Sequence, residues 1–241
     1  MPRPIEDLAI SLRRCADFDA LRGDFIDFFS SEGVQMMSYH HLPPPGASDY
    51  RPSITVTAHG FPDGWLNLYL RRKFYEIDPI PKHALNSVYP FWWSQIRAVA
   101  GLSKSEVDYL DALEQADFGD GLAIPLFGPH GRNGYAGLGG GKGAARWDEE
   151  KIARLQIAAQ LGHMKYCDIL HAHAPSDVRL SARESEILEW VARGKSNSVI
   201  AEILQLSRNT IDTYLRRIFE KLGVGDRVTA ALRGLALGVI G

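Results

Sequence analysis

The spacing of apolar positions changes character along the chain. Up to about residue 147, helical spacing near 5–31, 63–75 and 103–116 alternates with strand-like runs, VQMMSYHH, SITVTAHG, GLAIPLF and YAGLGG. The stretch DEEKIARLQIAAQLGHMKYCDILHA then reads as one long helix, with Ile152, Leu155, Ala159 and Ile169 among its apolar positions. The polar, proline-containing HAHAPSDVR ends that helix and reads as a linker. Beyond it every apolar pattern is helical. The pattern predicts an α+β domain over 1–172, a linker at 173–177 and an all-α, four-helix domain over 178–241. No internal repeat interrupts this division.

The helical end carries its own punctuation. Ser181 followed by Glu184 is a capping pair that opens a helix, and Gly194 closes it. Ser196 caps the next helix, whose inner face is read as Val199, Ile200, Ile203 and Leu204. Ser207 caps another, in which Ile211, Leu215, Ile218 and Leu222 form one apolar stripe. Its opposite face shows Arg208, Asn209, Asp212, Thr213, Arg216 and Arg217. Two short helices joined by a tight turn, the second with a polar and basic outer face, describe a helix-turn-helix. Periodicity alone fits a plain helical bundle with a solvated face equally well.

The segments LSARESEIL, GKSN, IAEILQLSRNTI and KLGVGDR closely resemble the LuxR-type helix-turn-helix family over essentially all of 178–241. That resemblance implies binding to double-stranded DNA through the six outer-face residues named above, with Lys195 of GKSN added to them. The chain departs from the pattern at Asp212 and Tyr214, where many members carry a lysine and a histidine. Arg208 and Arg217 are expected at phosphates, and Arg216 suits guanine. Asp212 either accepts from cytosine or holds Arg216 in place, one helical turn away. In the last segment Val228, Leu232, Leu235 and Val239 repeat at helical spacing, beside Gly234 and Gly238. Packing within the domain and a dimer contact both fit that spacing. The family's habit of pairing through this helix implies a homodimer.

The N-terminal domain holds a crowd of rings in FPDGWLNLYLRRKFYEIDPI. Pro62 can start a helix, and Trp65 and Tyr69, four apart, then share one face. Taken alone, these are as often core residues as ligand contacts, and Asp78 before Pro79 is most often a turn residue. Together with Trp93 in PFWW and Gly121 in GLAIPL, they resemble the acyl-homoserine-lactone-binding domain of quorum-sensing LuxR-type receptors, over about residues 20–170. This resemblance implies an antiparallel sheet sandwiched by helices. It also implies that Trp65 donates to the lactone carbonyl and that Asp78 accepts from the amide N–H. Tyr69 offers its hydroxyl to the acyl portion and Trp93 packs on the lactone ring, with Ile80 and Tyr109 in the wall. Phe61 stands where several members have a tyrosine, and Ala123 and Gly139 where some have threonine and serine. A roomier, more apolar wall is expected from those three, suited to a branched, long or aryl acyl group.

Composition changes this picture little. An apolar share of 45% with 23% charged residues describes an ordinary globular protein. Beyond residue 176 ten Lys/Arg face eight Asp/Glu, a mild excess within an overall charge of −2, so placement rather than bulk charge carries the DNA argument. Cys15 and Cys167, far apart, fit a reducing compartment better than a disulfide framework. Charges interrupt the N-terminal apolar residues, and no apolar run is long enough to cross a bilayer, so the expected location is the cytoplasm, away from membranes. The glycines of GLGGGKGAAR lack the Ser or Thr that a phosphate loop needs after Lys142. His163, Cys167 and His171 are four apart but are read as ordinary helix residues, not metal ligands. The HAH at 171–173 lacks the Asp and His of a lactone-cleaving metal site. The expectation is therefore a non-enzymatic, signal-regulated transcription factor of quorum sensing, with no metal and no cofactor beyond the lactone signal. Its rivals are a regulator of the same family that ignores lactones and a lactone-processing enzyme.

Overall fold

The helical pattern over 5–31 is divided in two, α1 (Ile5–Arg14) and α2 (Phe18–Ser31), because Asp17 adopts extended backbone and caps α2 by accepting from the Ala20 N–H at 2.8 Å. The structure, a computed structural model, describes residues 3–47, 49, 55–173 and 178–241. The chain forms two compact units, residues 1–42 with 51–172 and residues 43–50 with 173–241. The grouping of 43–50 with the second unit has no signal in the sequence. Residues 174–177 of the expected linker and the first two residues of SITVTAHG lie outside the described residues.

In the first unit the strands are β1 (Met36–Leu42), β2 (Thr55–His59), β3 (Phe91–Trp92), β4 (Gly121–Leu126) and β5 (Asn133–Gly139). They pair antiparallel in the order β2-β1-β5-β4-β3. Because successive side chains leave a strand on opposite faces, each strand feeds two cores. Met37, Leu122, Ile124, Leu126, Ala136 and Leu138 pack against α1, α2 and the long helix α6 (Glu149–His173), through Leu8, Phe28, Leu155 and Ala158. Met36, Ala123 and Tyr135 pack on the other face against α3 (Asp63–Arg71), α4 (Pro79–Ala84) and α5 (Lys104–Gln115). The sheet is thus sandwiched by helices. A short turn joins α2 to β1, and a longer loop over 140–148 joins β5 to α6.

The second unit contains α7 (Ala182–Ala192), α8 (Asn197–Leu204), α9 (Arg208–Leu222) and α10 (Arg227–Leu237). Local chemistry sets each start. Ser181 and Glu184 form a reciprocal capping box at 2.7 and 3.3 Å, and Ser196, Ser207 and Asp226 cap the other three helices. Glu184 is buried and also takes Lys221 of α9 at 2.6 Å, which ties α7 to α9. The α9 stripe Ile211, Leu215, Ile218 and Leu222 is buried as its spacing predicts.

Two details of the helical reading are corrected. The inner face of α8 is Ile200 and Ala201, with Leu204 half-buried, whereas Val199 and Ile203 are exposed. Spacing gave the stripe its width but left its centre about one residue off. In addition, α10 ends at Leu237, with Gly238 in the left-handed region at φ 68°, so Val239 lies beyond the helix. Gly234 does permit close approach, but of Leu188 in α7: a Cβ there would fall 2.7 Å from Leu188 Cδ2.

Candidate functional site

The opening turns of α3 put Trp65 and Tyr69 on its buried side, and the hairpin-like return through Asp78 brings α4 under them. Phe61, Trp65, Tyr69, Asp78, Ile80, Trp93 and Tyr109 line a single cavity of about 40 Å³ between the sheet and α3–α5. Ala123 and Gly139 do not line it. Ala123 is fully buried in the core of that face, and the space beside Gly139 is filled by Met36, whose Cε would lie 2.7 Å from an added Cβ. The room expected beside Gly139 is therefore taken by Met36. The sequence reading also missed the sheet side of the cavity, formed by Ser38, His40 and Tyr135. Only the β1–β5 register, which sets His40 opposite Tyr135 and Ser38 opposite Gly137, brings them together.

Asp78 has two roles at once. Its Oδ1 accepts from the Ile80 N–H at 2.9 Å and so caps α4, with Pro79 at the first helical position. Its Oδ2 accepts from the Tyr69 hydroxyl at 3.1 Å, and Tyr109 offers a further hydrogen bond. The residue as a whole is half-buried, but its carboxyl group is enclosed by these rings. Enclosure pushes the carboxyl up to about 6, against the opposing pull of the Ile80 N–H and the two tyrosines. Burial first, then the neighbouring carboxylate, raises the Tyr69 and Tyr109 phenols, which stay protonated. The hydroxyl proton of Tyr69, expected on the acyl portion of a ligand, is thus committed to Asp78.

Trp93 lies flat along the sheet because glycine lets it. A Cβ on Gly121 would sit 2.4 Å from the indole, and one on Gly137 would meet Tyr135 Oη at 2.5 Å and Trp93 at 3.0 Å. The Trp93 indole N–H donates to the Tyr135 hydroxyl at 2.8 Å, and Tyr135 also shares a hydrogen bond with Ser38. This chain satisfies the polar groups along the sheet as far as Ser38.

A larger cavity, about 390 Å³, lies on the opposite face of the sheet between α2 and α6, walled by Phe25, Ile26, Phe29, Leu138 and Ala159. Size alone would favour it. Its buried polar pair, however, is already satisfied. The carbonyl of Arg132 can only accept, so His163 Nε2 donates to it at 2.8 Å, and Nδ1 then accepts from the Tyr39 hydroxyl at 2.8 Å. Burial lowers His163 to about 4, so the ring is neutral at ordinary pH. The smaller cavity has the convergent polar groups, and it is the candidate ligand site.

In the second unit Arg208, Asn209, Thr213, Arg216 and Arg217 form the exposed face of α9, with Lys195 exposed before α8. Among the described residues the unit's ion pairs join Arg183 to Glu186, Arg193 to Glu189 and Lys221 to Glu184, which leaves the three α9 arginines without acidic partners. Asp212 does not pair with Arg216, as one expectation had it. Its Oδ1 accepts from Asn197 Nδ2 of α8 at 2.7 Å, and Arg227 of α10 reaches both the Asn197 side chain at 3.4 Å and the Lys195 carbonyl at 2.5 Å. The carboxylate therefore clamps α9 to α8 rather than holding Arg216. Val228, Leu232 and Leu235 are 64%, 39% and 43% exposed, a partly exposed apolar strip on α10 with Gly46 packed beside Leu232. Ile157 and Met164, seven apart on α6, are exposed as well, which the sequence reading did not single out.

Comparison with known proteins gives the family of both units. Residues 17–166 match the family described as "Autoinducer binding domain", and residues 178–233 match "Bacterial regulatory proteins, luxR family". The quorum sensing-dependent transcriptional regulator RpaR of Rhodopseudomonas palustris is 31% identical over 78% of this chain and 76% of its own length. The putative transcriptional regulator y4qH of Sinorhizobium fredii is 31% identical over 75% of this chain, which spans 55% of that protein. Among solved structures, Escherichia coli SdiA superposes with a TM-score of 0.70 at 20% identity, covering 97% of this chain and 96% of that one. The two family matches, one to each unit, and the likeness to RpaR make this chain a member of the LuxR-type, autoinducer-binding transcriptional regulators of quorum sensing.

Proposed function

We propose that the signal is an acyl-homoserine lactone held in the cavity around Asp78, and that the liganded protein binds a two-fold symmetric DNA site as a homodimer. One observation carries this reading: a carboxylate enclosed by tyrosines, with its pKa raised to about 6, faces a cavity walled mostly by rings and hydrocarbon, with Ser38 and His40 on the sheet side. An enclosed carboxylate is held at a cost, and an amide N–H presented by a ligand would offset it with a charge-assisted hydrogen bond. The indole of Trp65 supplies a donor for the lactone carbonyl on the same face of α3. At about 40 Å³ the cavity is far below the volume of drug-sized sites, so ligand entry requires the aromatic walls to part. Binding is then coupled to repacking of the core, and its free energy adds to the stability of the folded unit.

The unpaired Arg208, Arg216 and Arg217 support DNA binding through α9, with its N-terminal turn toward the base edges. The partly exposed strip Val228, Leu232 and Leu235 supports pairing through α10, and Ile157 with Met164 supports a second contact along α6. An electrophoretic mobility assay on sites selected from random DNA, with and without a panel of acyl-homoserine lactones, tests the proposal. Lactone-dependent binding to two-fold symmetric sites is the expected result. Equal binding with and without every lactone would favour a regulator that works without this signal, and lactone turnover would favour an enzyme.

A further inference from the structure

His40 stands near the middle of β1, between Val56 of β2 and Tyr135 of β5. Strand alternation turns it to the same face as Met36 and Ser38, toward α3. It is 3% exposed, and its ring meets Tyr135 edge-on at 5.0 Å and Tyr69 edge-on at 6.5 Å. Burial alone lowers its pKa to about 3, so the imidazole is neutral. Its neighbours have partners: Tyr69 donates to Asp78, and Trp93, Tyr135 and Ser38 bond in sequence. His40 Nδ1 has none, although it is buried and its side chain lines the cavity. Buried polar atoms without a partner are uncommon and costly, and this one lies in the wall of a ligand site.

We propose that His40 selects the acyl portion of the signal, by pairing Nδ1 with an oxygen carried on the acyl chain: a ketone, a hydroxyl or a phenol. This rests on the reading that the Asp78 cavity holds an acyl-homoserine lactone. With the ligand amide at Asp78 and the lactone at Trp65, His40 lies across the Tyr69 ring from the anchor, on the sheet side. In this reading the chain beyond the amide runs along that side, past the ring of His40. A neutral imidazole carries one N–H and one bare nitrogen. It donates to a ketone in one tautomer and accepts from a hydroxyl in the other. An unsubstituted alkyl chain offers neither and leaves Nδ1 unpaired. Selection of this kind is steep because the site is built to bond the group that the analogue lacks.

Calorimetric titration of the purified full chain with matched ligands tests this. One series compares octanoyl with 3-oxo-octanoyl and 3-hydroxyoctanoyl homoserine lactones. The other compares phenylpropanoyl with 4-hydroxyphenylpropanoyl homoserine lactone. The parent should bind the oxygenated member at least about tenfold more tightly in one series, a comparison that needs no variant. His40→Leu, close in volume, should remove that advantage, so that it binds the oxygenated and the unsubstituted members about equally. His40→Gln, which keeps a donor and an acceptor, should retain part of it. No advantage in either series, or an advantage that persists in His40→Leu, would overturn the assignment while leaving the lactone reading intact. Failure of every lactone to bind the parent would overturn the lactone reading and this assignment with it.

Discussion

The Tyr69 hydroxyl donates to Asp78 Oδ2 at 3.1 Å, so the helix that carries the aromatic face and the residue that caps the next helix share one buried hydrogen bond. Through it, the geometry of α3 and the charge on Asp78 depend on each other. Tyr69 holds the carboxylate toward the cavity, and burial together with the carboxylate keeps the phenol protonated.

Asp78 should destabilise the unliganded protein at neutral pH. Its carboxyl rises from an ordinary value of 3.8 to about 6 on folding, chiefly through burial, so the folded state binds the proton more tightly than the unfolded chain. Its relative contribution is fully present below about 3.8 and is lost as the pH rises through about 6. The groups facing it are the Tyr69 and Tyr109 phenols, whose pKa values are raised, and across the cavity neutral His40 and Tyr135. Urea denaturation of the parent and Asp78→Asn without ligand, between pH 4 and 7, should show a stability difference that grows with pH. It should reach roughly 1–3 kcal/mol in favour of the variant. A difference independent of pH would show that the carboxyl is not perturbed by its enclosure.

Gly121 should resist even alanine. An added Cβ would sit 2.4–2.5 Å from three atoms of the Trp93 ring, and the indole is held by its bond to Tyr135. Overpacking of this kind costs about 1–3 kcal/mol, and it should weaken ligand binding as well by displacing the ring. Thermal melts with and without lactone read both effects. Unchanged melting and affinity in Gly121→Ala would mean that Trp93 moves freely.

Asn197→Ala and Asp212→Ala should behave alike. Each removes one side of the 2.7 Å bond between α8 and α9, so each should lower stability by about 1 kcal/mol and weaken all DNA sequences together. The double variant should cost little more than either single one. Binding-site selection on the three variants is the check. A preference relaxed at one base pair in Asp212→Ala, but not in Asn197→Ala, would mean that the carboxylate reads a base.

What the sequence made legible is local. Ser181, Ser196, Ser207 and Asp226 announce their helices because a cap and its partner lie within three residues. Trp65 and Tyr69 share a face because four residues make about one turn. The sheet side of the cavity was not legible: His40 and Tyr135 meet only through a strand register spanning 95 positions of chain. Gly139 was misread for the same reason, since Met36, its cross-strand partner, decides what fills the space beside it. The Asn197–Asp212 bond joins two helices whose individual patterns say nothing about polar partners between them.

The most direct test of the account is calorimetric titration of the parent and Asp78→Asn with the acyl-homoserine lactone that binds the parent most tightly, at pH 7, where Asp78 is ionised. Replacing a charged acceptor by a neutral amide should cost about 1.5–3 kcal/mol, roughly 10- to 150-fold in affinity, while the variant remains folded and at least as stable without ligand. Equal lactone affinity in the two proteins would contradict the account and place the signal elsewhere.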